Sequence, residues 1–262
     1  AFADAGGIDI RTLALVSALA RLDVLGRYKA DKTLDIRVTA AARPNAEGKT
    51  VASGTEIGKL AFDATIKGPV AGPTVVATLD AQDAKLPSGG FSRIGLNFHA
   101  TPTGIIGEPG SRITLTADGE ASGIVLADRA LARAVGERVG FTLRGIAQDD
   151  GTADFETLRL AMSGLELDYK GKAGKARVLG RLNAVLPDLA RLGGLAKRPL
   201  GGRADLSAEI DATPRLEDYG ATLSGRGDRL ATGDATLDRL LAGNLTLGGQ
   251  VRALAGDLTV SG

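Results

Sequence analysis

The chain has no cysteine and no tryptophan, a single histidine, and aromatic residues at only 3% of its 262 positions. The missing cysteine removes disulfide scaffolds, thiolate zinc sites and cysteine catalysis together. The lone His99 cannot supply the two or more nitrogen or sulfur ligands that zinc normally takes. Its place beside Phe98 in an alternating stretch predicts an exposed residue on the polar side of a strand. So few aromatics leave little of the bulk that usually fills a compact sandwich. No apolar run approaches the roughly 18 residues that a membrane-crossing helix needs. Charge of one sign is also lacking: 32 Lys and Arg stand against 31 Asp and Glu, a net of +1. The signs alternate along the chain, as in Lys32-Thr33-Leu34-Asp35-Ile36-Arg37. That pattern reads as a solvated face, and nucleic acid, which selects clustered positive charge, is not an expected partner.

Catalytic signatures are missing too. Gly48-Lys49-Thr50 matches the end of a phosphate-binding loop, but Arg43 stands where the earlier glycine is required. Arg226-Gly227-Asp228 spells an adhesion tripeptide and Asn244-Leu245-Thr246 a glycosylation sequon, but both read as coincidences of a Gly-rich turn and a strand. Asp149-Asp150-Gly151 lacks the spaced carboxylates of a calcium loop and reads as a turn. With no nucleophile and base in a recognisable constellation, the chain is not expected to be an enzyme, and no cofactor or metal is expected.

What is present is a large supply of Leu, Ala, Val and Ile, within a hydrophobic content of 44%, and 37 glycines. These residues alternate with polar ones almost everywhere. Leu34, Ile36 and Val38 do so, as do Leu60, Phe62, Ala64 and Ile66, then Val75, Ala77 and Leu79. Leu96 and Phe98, Ile113 and Leu115, and Phe141 and Leu143 continue the pattern. It resumes at Leu158, Leu160 and Met162; at Leu165, Leu167 and Tyr169; and at Leu206, Ala208 and Ile210. The last instances are Ala221 and Leu223, then Leu245 and Leu247. Period two places one apolar and one polar face on each strand. Turns are expected at Gly68-Pro69, Gly72-Pro73, Pro87-Ser88-Gly89-Gly90, Asp149-Asp150-Gly151, Ser163-Gly164, Gly171 and Gly174. Four short helices are expected to cover the sheet. The first is capped by Asp9, carries Leu15, Leu19 and Leu22, and ends near Gly26. The second starts near Asp128 and carries Leu131 and Val135. The third has Pro187 at its first position and ends at Gly193-Gly194. The fourth runs from Asp234 to Leu241 and is closed by Gly243.

The segment Phe62 to Gly89 superposes without gaps on Leu206 to Gly233, matching Ala64/Ala208, Ile66/Ile210, Leu79/Leu223 and Gly89/Gly233, among others. This suggests a degenerate internal repeat. The predicted fold class is mainly β: a long curled antiparallel sheet with a few inserted helices, forming one continuous piece over residues 1–262.

Three stretches carry a resemblance. Leu237-Asp238-Arg239-Leu240-Leu241-Ala242-Gly243-Asn244-Leu245-Thr246-Leu247-Gly248-Gly249 is similar to a recurring phrase of the TamB family, in which a short helix leads into a strand and a Gly-rich turn. Gly151 to Leu160, continuing through Gly164, Leu165, Leu167 and Gly171, resembles that family's strand–turn–strand phrase. Leu189-Ala190-Arg191-Leu192 through Gly201-Gly202-Arg203-Ala204-Asp205-Leu206 resembles its helix-to-strand connector. The motifs cover much of the second half and, more loosely, Leu60 to Pro102.

The resemblance implies an AsmA-like envelope protein of the periplasm. It would be anchored in the inner membrane by a segment outside this chain, an expectation in keeping with termini that look cut. It implies a curled β sheet with an apolar inner groove (a β-taco), movement of phospholipid toward the outer membrane, and a barrel partner of the TamA type in outer-membrane protein assembly.

A trough for phospholipid acyl chains needs smooth aliphatic walls, since exposing a chain of about 16 carbons to water costs ~13 kcal/mol at ~0.8 per CH₂. The residues expected to line it are Phe62, Ile66, Leu79, Phe98, Leu115, Phe141, Leu143, Leu160, Leu167, Leu206, Ile210, Leu223, Leu245 and Leu247. Two alternatives stay open: the same side chains could form the core of a closed sandwich, or the chain could be an extracellular structural or adhesive β-solenoid.

Overall fold

The computed structural model describes residues 2–4, 7–17, 20–43, 50–52, 54–214, 218–241, 243–254 and 257–261. Gly48 and Lys49 of the loop-like motif, and Leu19 of the first expected helix, lie outside the described residues. The fold is mainly β: antiparallel sheet that does not close on itself, with a few short helices. The chain gathers into two units, Ala1–Val125 with Ile146–Asp150, and Leu126–Gly145 with Gly151–Gly262.

In the first unit the strands are β1 (Phe2–Asp4), β2 (Gly7–Val16), β3 (Ala20–Tyr28), β4 (Thr33–Ala42), β5 (Thr50–Ala52), β6 (Thr55–Pro69), β7 (Thr74–Leu86), β8 (Gly89–Thr103) and β9 (Arg112–Ser122). They form an antiparallel meander in which β2, β3, β4, β6, β7, β8 and β9 lie side by side. The short β1 pairs with β2, and β5 with β6. A two-residue strand, β10 (Val125–Leu126), follows.

The second unit holds α1 (Arg129–Val135) and β11 (Arg138–Gln148, through Gly145 in this unit). Then come β12 (Ala153–Met162), β13 (Leu165–Ala173), β14 (Val178–Leu186), a 3₁₀ turn at Leu189–Leu192 and α2 (Gly193–Ala196). The unit continues with β15 (Gly201–Ala212), β16 (Tyr219–Ala231), α3 (Ala235–Leu241), β17 (Leu245–Leu254) and β18 (Asp257–Ser261). From β12 to β18 each strand pairs antiparallel with the next in sequence.

The expected helix after Asp9 is not there. Those residues form the hairpin of β2 and β3, with Leu15 opposite Leu22 and Leu13 opposite Val24. A register shift between Ile10 and Leu13 inserts one residue into the ladder, so the apolar spacing there becomes three and imitates a helical period. Gly171 is not a turn residue either; it lies inside β13, opposite Gly180 of β14. Likewise Gly248 and Gly249 sit within β17 rather than in a turn.

The other expected helices exist, but they line the ends of strands, and the third runs on through its two glycines to Ala196 instead of ending at Gly193-Gly194. The side chain of Asp128 caps α1, accepting from the amides of Ala130 and Leu131 at 2.8 and 2.9 Å. At its other end the carbonyls of Val135 and Ala134 accept from Ser163 and Gly164, the tight turn between β12 and β13. Asp188, not Pro187, begins the next helical stretch, its carboxylate accepting from the Ala190 amide at 3.0 Å. Pro187, expected at the first helical position, thus lies one residue before the cap, where aspartate has the side-chain acceptor that the first amides need. Asp234 caps α3 in the same way. Replacing Asp128 by Ala is expected to cost about 1 kcal/mol, in the usual range for a lost cap; thermal denaturation of the variant checks it.

Each half of the suspected repeat covers a hairpin, β6–β7 in one case and β15–β16 in the other. Their registers differ by two residues: Phe62 faces Leu79, whereas Leu206 faces Gly225 and not Leu223. A shift of two preserves the face on which every side chain emerges.

Candidate apolar sheet faces

Residues that sit opposite each other on neighbouring strands emerge on the same side, so the registers assign every side chain to a face. In the first unit one rung runs Leu15, Leu22, Ala40, Phe62, Leu79, Leu96, Gly119 from β2 to β9. The next runs Leu13, Val24, Val38, Ala64, Ala77, Phe98, Ala117. A third runs Ile10, Gly26, Ile36, Ile66, Val75, Ala100, Leu115. No polar side chain interrupts these rungs. At roughly 4.8 Å between strands, each is about 29 Å across, on the scale of a bilayer's hydrocarbon core of about 30 Å.

The second unit repeats the arrangement. Leu160, Leu167, Ala184, Leu206, Gly225 and Leu247 form one rung, and Leu158, Tyr169, Leu182, Ala208, Leu223 and Gly249 another. Phe155, Gly171, Gly180, Ile210, Ala221 and Val251 form the third. The glycines on this face serve their neighbours. A Cβ at Gly225 would lie 2.6 Å from Leu206 Cδ2 and 3.3 Å from Leu247 Cδ1, so these two leucines close over the glycine between them. A Cβ at Gly180 would lie 2.8 Å from Tyr169 Cε2, and one at Gly171 2.8 Å from the Tyr169 hydroxyl. The tyrosine ring therefore lies over both glycines, edge-on to Phe155 with ring centroids 6.0 Å apart. Its hydroxyl donates toward the carbonyls of Leu179 and Lys172 at 3.2 and 3.3 Å. Burial against the sheet raises its pKa above the usual phenol value.

Twelve of the fourteen residues expected to line a trough fall in these apolar sets. Leu245 is among them, opposite Gly227 at the β17 end of its rung. The other two, Phe141 and Leu143, lie two apart on β11 and so share one side of that strand. None of the fourteen is buried. Phe141, Leu206 and Leu247 are 37%, 40% and 40% exposed, and the remainder are half-buried. The buried apolar residues among those described are all alanines: Ala64, Ala81, Ala84, Ala100, Ala117, Ala134 and Ala212. A sealed sandwich core would occlude its Leu and Phe side chains first, so the closed-core alternative does not describe these sheets. Sequence reasoning missed Leu13, Leu15, Leu22 and Val24, which it had assigned to a helix, and Tyr169 with Phe155, whose role depends on glycines across the ladder.

The opposite faces are charged and self-paired. Arg37 pairs with Asp63, Lys67 with Asp35, Arg93 and Lys59 with Asp80, Arg159 with Asp168, and Arg181 with Glu209. Gln82, donating to Asp80 at 2.6 Å, is the main cause holding that carboxyl below its ordinary pKa, helped by Lys59 and Arg93. Exposed pairs of this kind contribute about 0–1 kcal/mol each. Their stronger effect is on register: slipping one residue would bury charge and expose leucine along a whole strand. Two concavities lie on these polar faces. One of about 790 Å³ is lined by Asp168, Lys170, Arg181, Asn183 and Glu209, among others, and one of about 460 Å³ by Asp63, Thr78, Asp80, Arg93 and Asn97, among others.

His99 is exposed on the polar face, 3.1 Å from the Thr101 hydroxyl. Among the described residues no group of three or more His, Cys, Asp or Glu side chains is placed to hold a metal ion. Among them, too, no helix is long and apolar enough to cross a membrane. No protein-family model, curated protein or solved structure matches the chain.

Proposed function

We propose that the chain is a periplasmic β-groove segment of a TamB-like envelope protein. It supports phospholipid movement between the inner and outer membranes, and outer-membrane protein assembly with a barrel partner of the TamA type. The observation that carries this reading is the run of unbroken apolar rungs whose large side chains stay half-open to solvent. An acyl chain laid across such a face escapes most of the ~0.8 kcal/mol per CH₂ that water would exact. The face carries no charge or deep polar hook that would fix one lipid in place, so bound chains can slide. The bulges at Ile10/Leu13, Phe155/Leu158 and Gly201/Arg203 fit a groove, since each increases the local bend and twist of its strand.

The test is to purify the chain from bacterial extract without detergent and examine it by native mass spectrometry. Phospholipid released from the protein on activation is the expected result. A chain that emerges free of lipid, and takes none up from added vesicles, overturns the proposal and favours a purely structural β protein.

A further inference from the structure

The polar faces carry one constellation twice. In the first unit Asp63 of β6, Thr78 of β7 and Asn97 of β8 stand directly opposite one another on neighbouring strands. In the second, Glu209 of β15, Thr222 of β16 and Gln250 of β17 do the same. Each row is a carboxylate, a hydroxyl and a carboxamide in that order, and each lines one of the two concavities. In each, an arginine from the strand on the other side holds one carboxylate oxygen: Arg37 donates to Asp63 Oδ2 and Arg181 to Glu209 Oε1. The second carboxylate oxygen, the threonine hydroxyl and the carboxamide make no hydrogen bond among the described residues.

Copying within a repeat does not account for the match. The alignment of Phe62–Gly89 with Leu206–Gly233 pairs Thr78 with Thr222 but places Asp63 on Ser207, and Asn97 lies beyond it. The two-residue difference in register brings Glu209, not Ser207, opposite Thr222. Different residues therefore supply the same chemistry in the same order across the sheet. The floor beside each row is low, with Ala61 and Gly95 adjoining the first and Gly220 the second. A Cβ at Gly95 would meet no atom within 4 Å, and one at Gly220 only the Asp211 carbonyl oxygen at 4.0 Å. Packing demands glycine at neither position. What both leave is open space beside the polar row, and a glycine inside a strand often marks a place where a ligand comes close.

We infer that each row is a subsite for a neutral polyhydroxyl chain, a glycan, lying across the strands. Sugar hydroxyls donate and accept at once. The row offers them a free carboxylate oxygen to accept, a hydroxyl that does both, and an amide that can donate. Two strand spacings put its ends about 10 Å apart, the reach of two pyranose rings. The charge fits a neutral occupant. The carboxylate repels phosphate and sulfate, and its arginine already balances it against a cation. Among the described residues no cluster is placed to hold a metal ion. Glycan and lipid would lie on opposite sides of the sheet, and neither needs the other.

Titration of the isotopically labelled chain with chitotetraose, cellotetraose and maltotetraose, followed by NMR of the side-chain amides, tests this. The chain has seven carboxamides, few enough to resolve singly. With at least one of the three sugars at millimolar concentration, the Asn97 and Gln250 signals are expected to shift, while those of Gln148 and Asn244 stay in place. Asn97→Leu should weaken binding at the first row about tenfold, as the loss of one hydrogen bond to a ligand hydroxyl does, with the Gln250 response kept. Gly95→Ile fills the open space without a clash and should abolish the Asn97 response at unchanged charge. Circular dichroism shows that both variants keep their sheet. Leu206→Asp, altered on the apolar face, should keep the Gln250 response. No shift with any of the three sugars, a response spread over all seven carboxamides, or an unchanged Asn97 response in the Gly95→Ile chain would each overturn the inference. So would a stronger response to a sulfated heparin tetrasaccharide than to every neutral sugar.

Discussion

Leu79→Asp is expected to lower the phospholipid recovered with the chain about a hundredfold, whereas Thr78→Asp, one residue earlier, leaves it unchanged. Leu79 sits mid-rung between Phe62 and Leu96. An aspartate there must stay hydrated. Keeping some four methylenes of a passing acyl chain wet costs ~3 kcal/mol at ~0.8 each, which corresponds to about two powers of ten in binding. Thr78 lies on the charged face, opposite Asp63 and Asn97, where another carboxylate meets water. The readout is lipid per protein by mass spectrometry, with circular dichroism to show that both variants keep their sheet. Leu206→Asp, at a position already 40% exposed, repeats the test in the second unit with less risk to folding. Equal lipid recovery from the Leu79 and Thr78 variants would remove the apolar face from the mechanism.

The largest effect on stability is expected at Gly171 rather than at any charge. A methyl group there would meet the Leu179 carbonyl oxygen at 2.2 Å and Gly180 Cα at 2.5 Å, and backbone cannot step aside as a flexible side chain can. Overpacking of this kind costs roughly 1–3 kcal/mol. At about 2–4 °C per kcal/mol for a domain of 150–250 residues, Gly171→Ala should lower the melting temperature by roughly 2–12 °C. Gly220→Ala is the matched control, because the nearest atom to its added Cβ is 4.0 Å away. That variant should be neutral or slightly stabilised, through the lost freedom of the unfolded chain. If both variants melt together, the β13 and β14 backbones do not approach at Gly171 and Gly180 as closely as described.

The alternation of apolar and polar residues was enough to read the strands and their faces wherever the ladder is regular, as from Leu34 to Val38 or from Leu206 to Ile210. It failed where the ladder is not regular. The extra residue between Ile10 and Leu13 turned a strand into an apparent helix, because only spacing, and not the partner strand, is visible in a sequence. Gly171 looked like punctuation, since nothing local says that a tyrosine two residues back needs the room. The Asp caps of α1 and α3, by contrast, were visible as a residue type in its usual position.

The meander topology has a consequence for how such a protein is made. From β12 to β18 every strand is laid against the one synthesised just before it, so no segment must wait for a distant partner. Pairing that stays local in sequence favours fast assembly and behaves as a row of units coupled only to their neighbours. A chain threaded through a pore in extended form could complete its ladder in the order of its emergence. Over evolution, adding or deleting a hairpin would lengthen or shorten the sheet while leaving every other side chain on its own face.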